Sequence, residues 1–448
     1  MRNRNVHIVS LGCPKNQVDS EVMAASLAGS GFTIVPTPDD ADIILVNTCA
    51  FILPAKEESI DEILRMAELK KTGKCSRLVV TGCLPQRYGK SLAREMPEVD
   101  LFLGTGELPS IAGRLEKLMQ DSPPSSRSVV GQPTFLMNAG HSRLLSTPFY
   151  SAYLKIAEGC SNWCSYCVIP AIRGKARSRQ VNDILKEAER LAAGGVKEVI
   201  ITAQDTTAYG RDLKGKPSLA VVLRELAGIK ELRWIRLLYT YPANLTKEIL
   251  ETVAEENRIC NYLDIPIQHV DDDILKAMHR KGGSRIIKES VAAARSIIPE
   301  VALRTSLIVG FPGETRAGFN RLLSFVRETR FDHLGVFEYS REEETPAASF
   351  PAQVTKKTKE NRRRLVMEEQ AMISHEINRS LVGSHQEILI EGRSDIPGYD
   401  FTGRCRRQAP DIDGITYVKG KNLTAGTIVT GAITAGEEYD LFAETSEI

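Results

Sequence analysis

Three cysteines in the run GCSNWCSYCVIP stand at the spacing C-x3-C-x2-C, which suits them to hold a metal cluster. Thiolates are the ligands of iron–sulfur clusters, and three of them on one short loop can bind three irons of a [4Fe–4S] cluster, leaving the fourth iron open. A zinc knuckle or simple buried thiols are the alternatives, but zinc sites usually close with four protein ligands. The spacing therefore favours a [4Fe–4S] cluster at Cys160, Cys164 and Cys167.

Three other cysteines, Cys13, Cys49 and Cys83, each fall at or just past the end of an apolar segment. Strands are expected at 5–11, 43–49 and 77–83, with helices at 19–31 and 57–71. Strands that alternate with helices indicate a parallel α/β sheet, and such sheets bind ligands at the carboxyl ends of their strands. The three cysteines are therefore expected to converge on a second site, with ordinary buried thiols as the alternative.

A second series of strands and helices begins near Tyr153 and is expected to position the first triplet. Its strands are predicted at 153–158, 197–204, 233–239, 262–267, 302–309 and 333–339, with helices such as 181–193 and 284–297. Six βα units in about 200 residues suggest a partial, open TIM-like barrel with its active site at the carboxyl face. Cys160 follows the first of these strands, at that face.

The remaining segments complete an α/β chain with a small β-domain at its end. The expected divisions are an α/β domain at 1–120, a linker at 121–148, the (βα)6 barrel at 149–351, a connecting helix at 352–382 and a small antiparallel β-barrel at 383–448. The linker is rich in Ser, Pro and Gly, and short strands separated by turn residues predict the β-barrel. That barrel carries six Lys or Arg against eleven Asp or Glu, a net −5.

Bulk composition excludes several classes of protein. The 448 residues carry a net charge of +1, so no global field draws the chain to nucleic acid or to membranes. No apolar run approaches the ~20 residues of a membrane span, and the amino terminus does not resemble a signal peptide. Nine cysteines, an odd number, are not expected to form a disulfide framework. We expect a cytoplasmic protein without a membrane partner.

The extended run GCSNWCSYCVIPAIRGKARSR resembles the methylthiotransferase branch of the radical S-adenosylmethionine superfamily, and SLGCPKN, NTCAF and GCLPQR resemble that branch's N-terminal domain. The resemblance covers nearly the whole chain, and the C-terminal barrel resembles a TRAM domain. It implies that the cluster at Cys160, Cys164 and Cys167 cleaves S-adenosylmethionine to a 5′-deoxyadenosyl radical. It also implies that Cys13, Cys49 and Cys83 bind a second [4Fe–4S] cluster.

Within the branch, SLGCPKNQVDSE, YLDIPIQH, FDHLGVFEYSREEETPAA and APDIDG resemble the members that modify small-subunit ribosomal protein twelve, apart from Gln17, where Leu is expected. The resemblance implies methylthiolation of the β-carbon of an aspartate in that protein. One S-adenosylmethionine would donate the methyl group and a second would supply the radical. A flavodoxin- or ferredoxin-type reductant and a sulfur donor are also implied.

Two strand ends are weaker candidates for contacts with S-adenosylmethionine. Gln204 or Asp205 in ITAQD could face the amino group of the cofactor, although Asp205 could equally cap a helix. Gly310 and Gly313 in IVGFPGET would let the backbone approach the adenine, although a plain turn also explains them. The basic run RGKARSR at 173–179 either neutralises the cluster and the substrate carboxylate or forms a solvated face.

Rival functions predict different observations. A tRNA adenosine methylthiotransferase would be expected to have a basic C-terminal barrel, because phosphate contacts dominate nucleic-acid affinity. The acidic barrel instead suits a basic protein, so nucleic acid is not the expected substrate. A non-enzymatic zinc or RNA-binding adaptor would bind zinc instead of iron, and a cluster-donating scaffold would not retain its clusters.

Overall fold

The chain folds into three units that follow one another in sequence, and the computed structural model describes residues 4–120 and 126–445. Two of the units are open parallel α/β layers and the third is a closed β-barrel. The predicted fold class is confirmed in all three. None of the helices within the described ranges is long and apolar enough to cross a bilayer.

The first unit is a six-stranded parallel sheet. Its strands are Asn5–Ser10 (β1), Thr33–Ile34 (β2), Ile43–Thr48 (β3), Arg77–Gly82 (β4), Leu101–Leu103 (β5) and Ser128–Val129 (β6), and its helices are Pro14–Gly29 (α1), Leu53–Thr72 (α2), Cys83–Glu95 (α3) and Ile111–Met119 (α4). The strand order is β2-β1-β3-β4-β5-β6. Every residue of β3 is buried, as expected for a strand covered on both faces.

Two boundaries in this unit differ from the sequence prediction. Helix α1 begins at Pro14 and not at residue 19, because proline is well suited to the first turn of a helix and Cys13 occupies the N-cap position. Strand β6 lies inside the predicted linker at 121–148 and pairs with β5 as the edge of the sheet. Residues 121–125 of that linker are outside the described residues.

The second unit contains a six-stranded parallel sheet and a separate two-stranded one. The strands of the larger sheet are Ser151–Lys155 (β7), Glu198–Thr202 (β10), Trp234–Leu237 (β11), Ile259–Asp264 (β12), Ala302–Val309 (β13) and His333–Glu338 (β14), and the smaller sheet consists of Ala157–Glu158 (β8) and Arg177–Ser178 (β9). The larger sheet has the order β14-β13-β12-β11-β10-β7 and is open between its first and last strands. Its helices are Ile169–Arg173 (α5), Val181–Ala193 (α6), Leu219–Ala227 (α7), Lys247–Glu255 (α8), Asp272–Ala277 (α9), Gly283–Ile297 (α10) and Arg316–Thr329 (α11). The main apolar core lies between this sheet and its helices.

The predicted strand 153–158 is divided in the structure. Strand β7 stays in the sheet, whereas β8 turns away and pairs antiparallel with β9. This pairing closes the base of the cysteine loop that lies between β8 and α5.

A long helix, Lys356–Ser380 (α12), leads to the third unit. Its strands are His385–Arg393 (β15), Phe401–Cys405 (β16), Thr416–Lys419 (β17), Ile428–Gly436 (β18) and Leu441–Glu444 (β19), closed in the order β15-β16-β17-β19-β18. The predicted small barrel is confirmed, but it is not wholly antiparallel, because β17 and β19 pair in parallel.

The C-terminal barrel packs against the amino-terminal ends of the core strands. Glu198, the first residue of β10, accepts hydrogen bonds from Arg236 Nε at 2.8 Å and from Arg404 Nη2 of β16 at 2.7 Å. Arg406 donates to the Ile259 carbonyl at the start of β12. The cysteine triplets lie at the opposite, carboxyl edge, so the barrel is attached to the end of the core sheet remote from them.

Replacing Glu198 by Gln is expected to destabilise the protein by about 3–5 kcal/mol, because it leaves buried guanidinium charges uncompensated. All three side chains are almost fully buried. The measurement is chemical denaturation followed by circular dichroism.

The matched control is Glu248→Gln, which breaks an exposed pair with Arg224 at 3.1 Å and should cost under about 1 kcal/mol.

The destabilisation should also depend on pH. Burial by itself would raise the pKa of the Glu198 carboxyl, but the charges of Arg404 and Arg236 outweigh burial and lower this pKa to about 2. The carboxylate therefore contributes its full stabilisation above about pH 4.3, the pKa of a Glu side chain in the unfolded chain, and this stabilisation is lost as the pH falls towards 2. The cost of Glu198→Gln should shrink over that range; equal costs for the two variants at neutral pH would contradict the prediction.

Candidate functional site

The loop that carries Cys160, Cys164 and Cys167 is fixed at both ends. The Cys160 N–H donates to the Gly174 carbonyl at 3.0 Å, and the Cys167 N–H donates to the Cys164 carbonyl at 3.1 Å. Ser165 donates to the Ala277 carbonyl at 2.7 Å, which ties the loop to α9. The three thiols are thereby held together at the carboxyl edge of the core sheet.

The second triplet lies at the carboxyl ends of three adjacent strands. Cys13 follows β1, Cys49 follows β3 and Cys83 follows β4, and these strands are neighbours in the sheet. The predicted convergence is visible in the packing, since a Cβ added to Gly12 would lie 2.6 Å from Cys49 Cβ and 3.0 Å from its Sγ.

A glycine with positive φ precedes three of the six cysteines. Gly12, Gly82 and Gly159 have φ values of +88°, +98° and +80°. A side chain on Gly82 would meet the Asn47 side chain at 2.4 Å, and one on Gly159 would meet the Lys175 carbonyl at 2.3 Å. Glycine is therefore required for the chain to turn sharply from strand into cysteine loop.

The thiols of each triplet are buried close enough to disfavour one another's ionisation. Burial raises the pKa of Cys49 to about 12, with Cys83 and Cys13 adding to the effect. Burial likewise raises the pKa of Cys160 to about 11, with Asp205 and Cys164 contributing. In the absence of a metal these clustered thiols therefore resist ionisation. Iron cations would stabilise their thiolate forms, so the arrangement suits an iron site.

Within the described residues, no three His, Cys, Asp or Glu side chains form a group that could hold a single metal ion. A [4Fe–4S] cluster makes a different demand, because its thiolates bind separate irons. Two separate groups of three thiols fit two such clusters, each with one iron left open.

A buried ion network lies between the two triplets. Asp19 of α1 accepts hydrogen bonds from Arg173 and from Lys155 Nζ, the latter at 2.5 Å, and Glu158 accepts from Lys155 at 2.8 Å. Arg173 also places Nη2 3.5 Å from Cys83 Sγ. Glu158 precedes Gly159 and Cys160, so the network connects the second triplet to the first.

Arg173 and Arg179 show that the basic run at 173–179 is not a solvated face. Arg173 is 4% exposed and Arg179 is 2% exposed. Arg179 pairs with Asp183 at 2.7 Å and also with Glu187. Arg173 thus belongs to the site, whereas Arg179 fastens the loop to α6.

Sequence reasoning missed two residues of the site. Arg280 follows α9, stacks on the Tyr241 ring at 4.1 Å, donates to the Pro266 carbonyl and interacts electrostatically with Cys164. Asp19 lies six residues beyond Cys13 on α1 and is buried. The sequence offers no spacing signal for Arg280. For Asp19, the available signal is that the cysteine-capped half of α1 carries two acidic residues, Asp19 and Glu21.

Gln204 and Asp205 both lie just past β10, near Cys160. Gln204 Nε2 donates to Glu158 at 2.8 Å, and its Oε1 is buried without a partner among the described residues. Asp205 caps the short helix at 206–208 and also accepts from Asn162 at 2.7 Å. Contact of either residue with S-adenosylmethionine remains a prediction, and Gln204 is the one with a free acceptor.

Gly310 and Gly313 follow β13, at the same edge of the sheet. A side chain on Gly310 would meet Lys359 of α12 at 2.3 Å, so its close approach is to its own chain. Gly313 has φ +85° and nothing within 4 Å of a built Cβ. Their contact with adenine also remains a prediction.

Comparison with family models divides the chain into three matched regions. Residues 5–104 match the uncharacterized protein family UPF0004, 154–326 match the radical SAM superfamily, and 382–445 match the TRAM domain. The matched regions correspond to the three folded units.

Relatives match over nearly the full length. The chain is 65% identical over 447 residues to the ribosomal protein uS12 methylthiotransferase RimO of Syntrophus aciditrophicus, covering 99% of each chain. It is 52% identical to the protein of that name from Geobacter sulfurreducens, covering 98% of each. Among solved structures, the radical S-adenosylmethionine methyltransferase TsrM of Kitasatospora setae, with cobalamin and a [4Fe-4S] cluster bound, aligns with a TM-score of 0.56 at 15% identity. That alignment covers 86% of this chain and 77% of the other, and it shows a common fold.

Proposed function

The chain belongs to the RimO family of ribosomal protein uS12 methylthiotransferases, and we propose that it adds a methylthio group to the β-carbon of an aspartate in uS12. Membership in the family confirms the predicted radical S-adenosylmethionine enzyme with its [4Fe–4S] clusters. The observation that carries the proposal is the buried network from Cys83 through Arg173 to Glu158, which supports two triplets acting on one substrate.

In this proposal Cys160, Cys164 and Cys167 hold the cluster that binds S-adenosylmethionine, and Cys13, Cys49 and Cys83 hold the second cluster. When bound, the groups supply an electron for cleavage of the sulfonium C–S bond and a site from which sulfur is delivered. The β-carbon of an aspartate bears no hydrogen acidic enough for an ordinary base, which is why radical chemistry is needed. Each triplet would leave one iron of its cluster without a protein ligand, so the two tasks require two triplets.

The residues of the chain orient and shield this chemistry. Asp19 and Glu158 compensate the charges of Lys155 and Arg173 in a region where all four side chains are at most 5% exposed. Such burial excludes water, which protects a reactive carbon radical. Because Asp19 is on α1 and Glu158 is on β8, the same contacts hold the two triplets at a fixed separation.

The C-terminal barrel supports a protein substrate. Of its six basic residues, Arg404, Arg406 and Arg407 pair with the core. Several acidic residues, among them Asp413, contact the core as well, so the net charge of −5 is kept at the outward surface, and complementary potentials favour a basic ribosomal protein over tRNA. Since the barrel lies at the far end of the core sheet from the cysteines, docking and modification would involve separate parts of the substrate.

Three further assignments belong to the proposal. A flavodoxin- or ferredoxin-type protein supplies the low-potential electron, and an external donor replaces the sulfur. A ribosomal protein substrate places the enzyme in the cytoplasm.

Anaerobic turnover with purified uS12 beside unmodified tRNA tests the substrate. Mass spectrometry is expected to find one methylthio group in place of a hydrogen on uS12, at an aspartate, and none on tRNA. A methylthio group on tRNA alone would overturn the proposal. The matched control is uS12 with the modified aspartate replaced by Asn.

A further inference from the structure

Lys15 is a buried cation at the point where the first unit meets the core. It lies two residues after Cys13, in the first turn of α1, and is 7% exposed. Its ammonium lies 3.3 Å from the ring centroid of Tyr239, which follows β11 at the carboxyl edge of the core sheet. After Tyr239, the groups that act on its charge are Cys13, a member of the second triplet, and Glu158, which lies two residues before Cys160. The ammonium therefore lies between the two triplets.

The charges around Lys15 are already balanced without it. Asp19 and Glu158 pair with Lys155 and Arg173, two negative charges against two positive. The second oxygen of Glu158 accepts from Gln204 at 2.8 Å and from the Gly159 N–H at 3.3 Å. Both carboxylates therefore already have charged partners other than Lys15.

Within the described part of the chain, Lys15 forms no ion pair, and its ammonium makes a cation–π contact with the Tyr239 ring. A ring face stabilises a cation from one side only, whereas an ammonium carries three N–H donors. A buried charge without a directly paired counter-ion is costly, so the position favours a further anion in contact with the ammonium.

We propose that Lys15 binds the side-chain carboxylate of the uS12 aspartate and thereby selects the residue that is modified. The carboxyl carbon of aspartate is bonded directly to the β-carbon. Holding the carboxylate against Lys15 thus places the β-carbon one bond away, between the triplets. Tyr239, whose φ is +58°, holds the ammonium at this position. The inference rests on the proposed function.

The test is binding of uS12 to the anaerobically reconstituted full chain, measured by fluorescence anisotropy without reductant so that no turnover occurs. Wild-type enzyme should prefer uS12 with its natural aspartate over the Asp-to-Asn form by roughly 30-fold or more, the usual effect of truncating a buried charged partner. Lys15→Met removes the charge but keeps an apolar side chain about as long as the aliphatic part of lysine, and it should reduce this preference to under about 3-fold. The exposed Lys247→Met should retain the full preference.

Other outcomes overturn the inference. A Lys15→Met enzyme that still prefers the aspartate form would show that Lys15 does not bind the carboxylate. If Lys15→Met instead weakens S-adenosylmethionine binding, or shifts the potential of the second cluster, with the preference intact, the charge serves the cofactor. Lys15→Arg, which keeps a cation, should preserve most of the preference, and its loss there would argue that packing is responsible. Failure of the wild type to modify uS12 would refute the proposed function itself.

Discussion

Replacement of Cys160, Cys164 and Cys167 by Ala is expected to abolish release of 5′-deoxyadenosine. Without these thiols the loop between β8 and α5 offers no ligand for a cluster, so S-adenosylmethionine cannot receive an electron there. Iron should fall from about eight to about four atoms per chain, because the other triplet keeps its cluster. Chromatography of the nucleoside products and iron and sulfide analysis measure the two effects.

The chain provides a matched control for the loss of three thiols. Cys75, Cys260 and Cys405 are buried, and none belongs to either triplet. Replacing all three by Ala should leave about eight irons and normal 5′-deoxyadenosine release. Retained release in the Cys160, Cys164 and Cys167 variant would refute the assignment of this triplet.

Sequence patterns predicted the architecture well where a segment is buried on both faces. Strand β3 begins with four apolar residues and is buried throughout, and strand β13, whose residues alternate between buried and half-buried over most of its length, also has the predicted bounds 302–309. Convergence of Cys13, Cys49 and Cys83 followed from one physical rule, that adjacent parallel strands end at the same edge. Local periodicity did not reveal that β8 leaves the sheet, since that turn depends on pairing with β9.

The polar interior of the site could not be predicted in the same way. Arg173 looked equally like a surface residue, because its partners Asp19 and Asn16 lie more than 150 residues earlier in the chain. Gly310 fits a cofactor-binding turn by composition, yet its neighbour in space is Lys359 of α12. Contacts between distant segments decide these roles, and a single sequence does not contain them.

Replacement of Cys13, Cys49 and Cys83 by Ala should separate radical formation from sulfur transfer. The loop of Cys160, Cys164 and Cys167 keeps its hydrogen bonds to Gly174 and Ala277, so 5′-deoxyadenosine release should continue. No methylthio group should reach uS12, because no open iron remains to present sulfur. Mass spectrometry of uS12, together with nucleoside analysis of the same reaction, measures both.

The contacts of Arg173 should keep α1 in place in this variant. Arg173 loses its contact with Cys83 but keeps Asp19 and Asn16, so the network and the position of α1 should be retained. Loss of 5′-deoxyadenosine together with the methylthio product would show that the triplets are not functionally separate, and a methylthio product formed without Cys13, Cys49 and Cys83 would refute the role of the second triplet.

Mixing the two triple variants tests whether both triplets must lie in the same chain. Each chain then has one intact triplet, but Asp19 and Arg173 join the α/β unit to the core within a single chain. A substrate carbon activated at one chain is therefore remote from the sulfur site of the other. The mixture should release 5′-deoxyadenosine without modifying uS12, because both triplets must face the same carbon.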